Sequence, residues 1–168
     1  MIVFDWKNGV NQNELNIVVD MLKKDELVIL PTETVYGLGA NACSNIACKK
    51  IFEAKGRAQD NPLIVHVSDI NMIEKVACDL NEVEKKLVKA FMPGPFTLIL
   101  KKSKMISDVA SCNMNTIGVR MPSNKIINEV IRKCGFPIAA PSANISGKPS
   151  GTNVLDIKDE FDGRVNVI

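Results

Sequence analysis

Residues with the means to do chemistry fall into a few short stretches of this 168-residue chain. Pro31 to Gly39, P-T-E-T-V-Y-G-L-G, brings hydroxyls, a carboxylate and two glycines directly after the apolar run Leu27-Val28-Ile29-Leu30. Such a run, stopped by Pro, reads as a buried strand opening into a site loop. A second polar loop, Pro141 to Gly147, follows the apolar run Phe136 to Ala140. Between them lie K-G-R at Lys55 to Arg57, the single histidine His66, and Arg120 near the end of Thr116 to Met121. Guanidinium groups take phosphate or carboxylate bidentately, a lysine acts as a point charge, and N–H groups beside glycine approach closely. The chemistry implied is anion handling, and a nucleotide suits it.

The elements that must position these residues are legible from periodicity. Asn13 to Lys24 carries Leu15, Val18, Val19 and Leu22 at helical spacing and leads into a strand at Leu27 to Leu30. Ser44 caps a second helix whose Cys48, Ile51 and Phe52 share a face, and Gly56 stops it. Leu63 to Val67 is a strand, and Asn81 to Phe91 a helix with Val83, Leu87 and Phe91 in phase, opened by an Asn81/Glu84 capping box. Pro93-Gly94-Pro95 breaks the chain before strands at Phe96 to Lys101 and Thr116 to Met121. Ser123 caps a helix that turns Ile126, Ile127, Val130, Ile131 and Cys134 to the core and stops at Gly135, ahead of a strand at Phe136 to Ala140. Strands alternating with helices predict an α/β sheet, mixed in direction because no helix separates the two strands between Phe96 and Met121. In such sheets ligands sit outside the strand ends, so the polar loops are expected to line one crevice.

Composition narrows the classes. With 46% hydrophobic residues the chain is expected to form one domain with a real core, and a net charge of +2 permits an anionic ligand without announcing one. Five scattered cysteines with no C-x-x-C spacing argue for reduced thiols in a cytoplasm rather than a disulfide framework or zinc site. No segment reaches the roughly 18 apolar residues of a membrane helix. The P-loop pattern is absent, since Ser146-Gly147-Lys148-Pro149 puts proline where a hydroxyl would meet magnesium. A lone histidine and no G-x-S-x-G give a serine hydrolase little support, and 5% aromatic content argues against a stacking platform for single-stranded nucleic acid.

Structural readings compete with functional ones at several of these residues. Lys55 and Arg57 answer a helix dipole as well as they bind phosphate. His66 in an apolar strand fits a core histidine, and Ser142 and Asn144 fit a turn. Lys101, Lys102 and Lys104 read as a solvated strand end or as contacts to RNA phosphate.

Taken together, the motifs resemble those of the Sua5/YrdC family of threonylcarbamoyl-AMP synthases. The resemblance rests on Pro31 to Gly39, K-G-R-A-Q-D-N-P-L-I-V-H at Lys55 to His66, P-G-P-F-T at Pro93 to Thr97, T-I-G-V-R-M-P at Thr116 to Pro122, and A-P-S-A-N-I-S-G at Ala140 to Gly147. It implies an α/β fold with a twisted mixed sheet, helices around it and a concave basic cavity. It implies synthesis of L-threonylcarbamoyladenylate and pyrophosphate from L-threonine, bicarbonate or CO2, and ATP, with Mg2+ carried on the ATP. The product would serve threonylcarbamoyladenosine modification of tRNA beside the anticodon, through downstream transfer proteins. Carried over residue by residue, threonine contacts fall on Thr34, His66, Arg120 and Ala140. ATP contacts fall on Arg57, Asn61, Thr116, Ser142 and Ser150, with Lys55 and Arg57 stabilising charge during transfer. No protein-made metal cage is expected.

Ala58 stands where the family often has proline after K-G-R, and the chain ends at Ile168 where the family usually continues, so a domain short at its C-terminal end is expected. Two further functions remain open at this point. One is a non-catalytic module gripping tRNA or double-stranded RNA; the other is a relative that moves carbamoyl groups from carbamoyl phosphate.

Overall fold

Short polar side chains punctuate this chain, and the computed structural model, which describes all 168 residues, shows where each one starts or stops an element. In order these are α1 (Gln12–Lys23), β1 (Val28–Pro31), β2 (Tyr36–Asn41), α2 (Asn45–Lys55), β3 (Ile64–His66), α3 (Ile70–Val76), α4 (Glu82–Phe91), β4 (Thr97–Lys101), β5 (Thr116–Arg120), α5 (Lys125–Cys134), β6 (Ile138–Ala139) and α6 (Val154–Glu160). Asn11, Asn81, Asn124 and Asn153 cap α1, α4, α5 and α6 by accepting N–H bonds of the first turn, and Ser44 does so for α2. Gly56 and Gly135 end α2 and α5 in the left-handed region, which glycine enters without steric cost.

The strands form one mixed sheet in the order β1-β2-β6-β3-β5-β4, antiparallel throughout except where β3 runs parallel to β5. This agrees with the mixed α/β sheet expected from the pattern. Register sets His66 opposite both Arg120 and Ile138. Because alternate strand residues point to opposite faces, each face can be read off these pairings.

One face is covered along its length. Ile29, Leu38, Ala40, Ala139, Val65, Val119, Ile117 and Leu100 pack with Cys48, Ile51 and Phe52 of α2 in the larger hydrophobic cluster. The other face is covered only at one end. Val28, Leu30, Ile138 and Ala140 are buried beneath Leu15, Val18 and Val19 of α1 and Ile127, Val130 and Ile131 of α5. Beyond β6 that cover stops: Ile99 is 70% exposed, Thr97 and Thr116 are exposed, and Ile64 and Gly118 are half-buried. The residues from Asn166 to Ile168 close the β1 edge, where Ile2 N–H donates to Asn166 O at 2.7 Å and Ile29 N–H to Val167 O at 3.0 Å.

Several expectations are corrected. Tyr36 to Gly39 lies in β2 rather than in a loop, so only Thr32 to Val35 turns, and the P-T-E-T run is the tip of a hairpin. Asn124, not Ser123, caps α5, because its Oδ1 accepts from Ile126 and Ile127 N–H. On α4, Val83 and Phe91 are exposed and Val88 is buried instead, and the Phe91 ring lies 5.0 Å from that of Phe96 at the helix end. Lys102 does not sit free at a strand end: its ammonium, 12% exposed, holds Asp108 at 2.7 Å.

Candidate active site

The cover of α1 and α5 ends at a line of polar groups. Arg120, the last residue of β5, donates from one guanidinium nitrogen to Glu33 at 2.8 Å, and the two side chains are 13% and 15% exposed. Glu33 reaches it from the hairpin tip, and its other oxygen accepts from the Ser123 N–H and, at 3.2 Å, from the Ser123 hydroxyl. Burial raises the Glu33 carboxyl, but the Ser123 bonds and Arg120 more than offset this and hold it below the usual range. Beside them His66 is 2% exposed, and burial together with the Arg120 charge pulls its imidazole down to about 4. It is neutral at pH 7. His66 Nδ1 and Arg120 Nε are both buried without a hydrogen-bond partner.

A second polar group forms in the loop after β6. Lys55, the last residue of α2, is buried, and its ammonium donates to the carbonyls of Ser142 and Asn144 at 2.5 Å each. Burial and nearby Arg57 bring it down to about 8, partly countered by Glu160. Ser142 Oγ donates to Asn144 Oδ1 at 2.5 Å, and the Asn144 amide donates to the carbonyls of Ile145 and Lys148. The Pro141 to Gly147 loop is therefore built around a lysine ammonium and an asparagine amide. Of the readings open for Lys55, the contacts favour neither dipole compensation nor a free phosphate ligand: the charge is spent on two carbonyls.

The uncovered strands make the floor. A cavity of about 360 Å³ is lined by Asn61, Pro62, Ile64, Thr97, Ile99, Thr116 and Gly118 among others. At Gly118 a Cβ would stand 3.2 Å from Thr97 Cγ2, so the absence of a side chain keeps this floor open. Arg57 donates to the Asn61 and Pro62 carbonyls at 2.8 and 3.4 Å and lies 5.9 Å from the Phe52 ring, which sets its guanidinium at the cavity's edge.

The structure thus lines one cavity with Asn61 and Thr116, holds Arg57 to the Asn61 and Pro62 carbonyls, pairs His66 with Arg120 at the ends of the floor strands, and sets Lys55 with Ser142 in the second loop. Ala140 donates its N–H to Ile64 O at 3.0 Å, joining that loop to the floor strand. Thr34 is exposed at the hairpin tip. Ser150 is exposed next to Gly151, whose carbonyl accepts the Tyr36 N–H at 3.3 Å, so its loop rests against the start of β2. Lys101, beside Thr116 on the open face, pairs with Asp79, and Lys102, on the opposite side of the strand end, pairs with Asp108. Asn144 holds the turn expected of it, through the Ile145 and Lys148 carbonyls, and Glu33 is the residue whose role the sequence left unassigned. A carboxylate in a turn otherwise made of hydroxyls was the one signal for Glu33, and its partner lies 87 positions away.

No group of three or more His, Cys, Asp or Glu side chains stands together as a metal cage. All five cysteines are free thiols, with Cys48 and Cys134 pushed up to about 12 by burial. No helix is long and apolar enough to cross a membrane.

Against known proteins, the family model described as Telomere recombination, that of Sua5, YciO and YrdC, matches residues 20–168. The threonylcarbamoyl-AMP synthase of Pyrococcus abyssi is 42% identical over 167 residues, which is 99% of this chain and 49% of the relative. That of Bacillus subtilis is 46% identical over 158 residues, 94% of this chain and 46% of the relative. The crystal structure of P. abyssi Sua5 complexed with L-threonine superposes with a TM-score of 0.96 at 42% identity, covering 100% of this chain and 49% of that one. The chain spans about half the length of these relatives.

Proposed function

The chain belongs to the Sua5, YciO and YrdC family, and from that premise we propose that it is a nucleotidyltransferase making L-threonylcarbamoyladenylate. The observation that carries the reading is the pair of buried, unpartnered atoms, His66 Nδ1 and Arg120 Nε, at the ends of the same strands whose Ile64 and Gly118 line the cavity. Buried polar groups are normally satisfied, so two adjacent orphans call for a polar ligand. L-Threonine suits them: its carboxylate takes the free guanidinium edge, and a neutral imidazole donates to or accepts from the ligand's other polar groups. Thr34 and the Ala140 backbone complete this subsite in our reading.

ATP then occupies the floor beside Asn61, Thr116 and Arg57, with Ser142 and Ser150 closing over it. Magnesium arrives on the phosphates as part of that substrate. Lys55 shapes the second loop through its two carbonyl contacts and acts on the transfer through that loop. In the reaction the threonine amine adds to CO2 or dehydrated bicarbonate, giving a carbamate. A carbamate oxygen attacks the α-phosphorus, and the bond to pyrophosphate breaks. No covalent enzyme intermediate is needed, so the residues supply orientation and charge stabilisation. We place this single YrdC-like domain in the cytoplasm, supplying threonylcarbamoyladenosine modification of tRNA through transfer proteins. Among the alternatives, an RNA-binding module would use the same open face, but its affinity should fall steeply with salt and ignore threonine.

Pyrophosphate release from MgATP and bicarbonate by the 168-residue chain tests the proposal. Release that depends on threonine and is absent with valine is expected. Release unchanged by omitting threonine, or supported only by carbamoyl phosphate, overturns it.

A further inference from the structure

An ion pair largely withdrawn from solvent is weak evidence for stability, since the cost of desolvating both charges offsets much of their attraction. The Glu33–Arg120 pair therefore needs another reason to exist. The carboxylate has two separate customers, Arg120 on one oxygen and the N–H and hydroxyl of Ser123 on the other. It thereby ties the Thr32 to Val35 turn to the end of β5 and to the residue just before the Asn124 cap of α5. Two consequences follow from this single bridge. Held by one Nη, the Arg120 guanidinium is turned toward the hairpin tip, and its buried Nε is left without a partner. Thr34, next in the chain, is carried to a set place relative to that edge.

Resting on the threonine reading above, we propose that Glu33 is the positioning residue of the amino-acid subsite: its carboxylate aims the free edge of Arg120 and locks the hairpin tip bearing Thr34 against β5. It acts through Arg120 and the turn, not on the reacting atoms. Two acceptor oxygens are required for this. A glutamine amide offers one acceptor and one donor, so either Arg120 or the Ser123 N–H would face an NH2 group. Aspartate keeps both acceptors but is one methylene shorter, so it reaches one customer well and the other poorly.

The test compares Glu33→Gln, Glu33→Asp and Ser123→Ala with the parent chain in threonine-dependent pyrophosphate release, and follows amide hydrogen exchange at Ser123 without ligand. Glu33→Gln is expected to raise the half-saturating threonine concentration about tenfold or more, the scale of a lost hydrogen bond to a charged group. The half-saturating ATP concentration and the rate at saturating threonine stay within about twofold, because the ATP floor is untouched. Glu33→Asp recovers part of the loss, Ser123→Ala shows a smaller one, and Ser123 exchanges faster in Glu33→Gln. If Glu33→Gln saturates with threonine like the parent chain, or weakens ATP and threonine equally, the positioning role is overturned while the synthase reading stands. If the parent chain shows no threonine dependence, the synthase reading falls and the subsite role with it. Unchanged Ser123 exchange in Glu33→Gln overturns the bridge in either case.

Discussion

On the same face of one sheet, β1, β2 and β6 lie beneath α1 and α5, whereas β3, β5 and β4 lie open. The covered half is built of Val28, Leu30, Ile138 and Ala140, each 6% exposed or less. The open half carries Thr97, Ile99 and Thr116, which are exposed, and Ile64 and Gly118, which are half-buried. A buried aliphatic side chain stabilises by about 1.5–3 kcal/mol, and the open residues forgo that contribution. The difference shows how one fold separates two duties. Helices α1 and α5 supply stability, and their absence over the other strands leaves a floor with a row of polar groups, Glu33, Arg120 and His66, at the boundary.

The largest effect that would sharpen this contrast is on stability. Ile131→Ala, in α5 and fully buried, is expected to cost about 3 kcal/mol in urea unfolding, whereas Ile99→Ala on the open floor stays within about 0.5 kcal/mol. Similar losses at both positions would erase the contrast. Next come the two arginines. Arg120→Ala should weaken threonine binding by roughly 10- to 100-fold with little change for ATP, and Arg57→Ala should do the reverse, read by calorimetric titration of each ligand. Equal effects on both ligands would break the proposed division of the cavity.

A smaller effect is expected from filling the floor. Gly118→Val points a branched side chain at Thr97, and ATP affinity should drop about tenfold while stability changes by no more than about 1 kcal/mol. Stability lost with ATP affinity kept would mean that Gly118 serves packing instead. The last, absent at neutral pH, is a pH effect at the boundary. An unfolded His66 takes a proton near its ordinary 6.5, but the buried one does so only near 4. Between these values the unfolded chain binds more protons, so stability falls as the pH drops through that window. His66→Gln should flatten that part of the stability profile, and an unchanged slope would remove His66 as its source.

Much of the fold was legible because it is local. The stripe Leu15, Val18, Val19 and Leu22, the Ser44 cap with its Gly56 stop, and the Asn81/Glu84 box all depend on neighbours within a few positions. The hairpin was not legible, because Tyr36 to Asn41 is rich in small residues that strand propensity disfavours, and pairing with β1 overrides this. Helices α3 and α6, seven residues each, carry too little periodic signal to stand out. At the site, residue types announced an anion-handling cavity, but their contacts did not follow from type. Lys55 turned to two carbonyls, and Glu33 turned to an arginine 87 positions away, both set by how the sheet brings distant strand ends together. Ser123 drew attention as a helix cap and serves instead as half of the Glu33 bridge.

The central claim is that the open half of the sheet face is the amino-acid and nucleotide site. Titrating L-threonine into the isotopically labelled chain and following its amide resonances tests this most directly. The account predicts saturable shifts at Thr34, His66 and Arg120, further shifts at Thr97, Gly118 and Thr116 when MgATP is added, and none along α1. Shifts centred on α1 and α5, or equal shifts with valine in place of threonine, would contradict it.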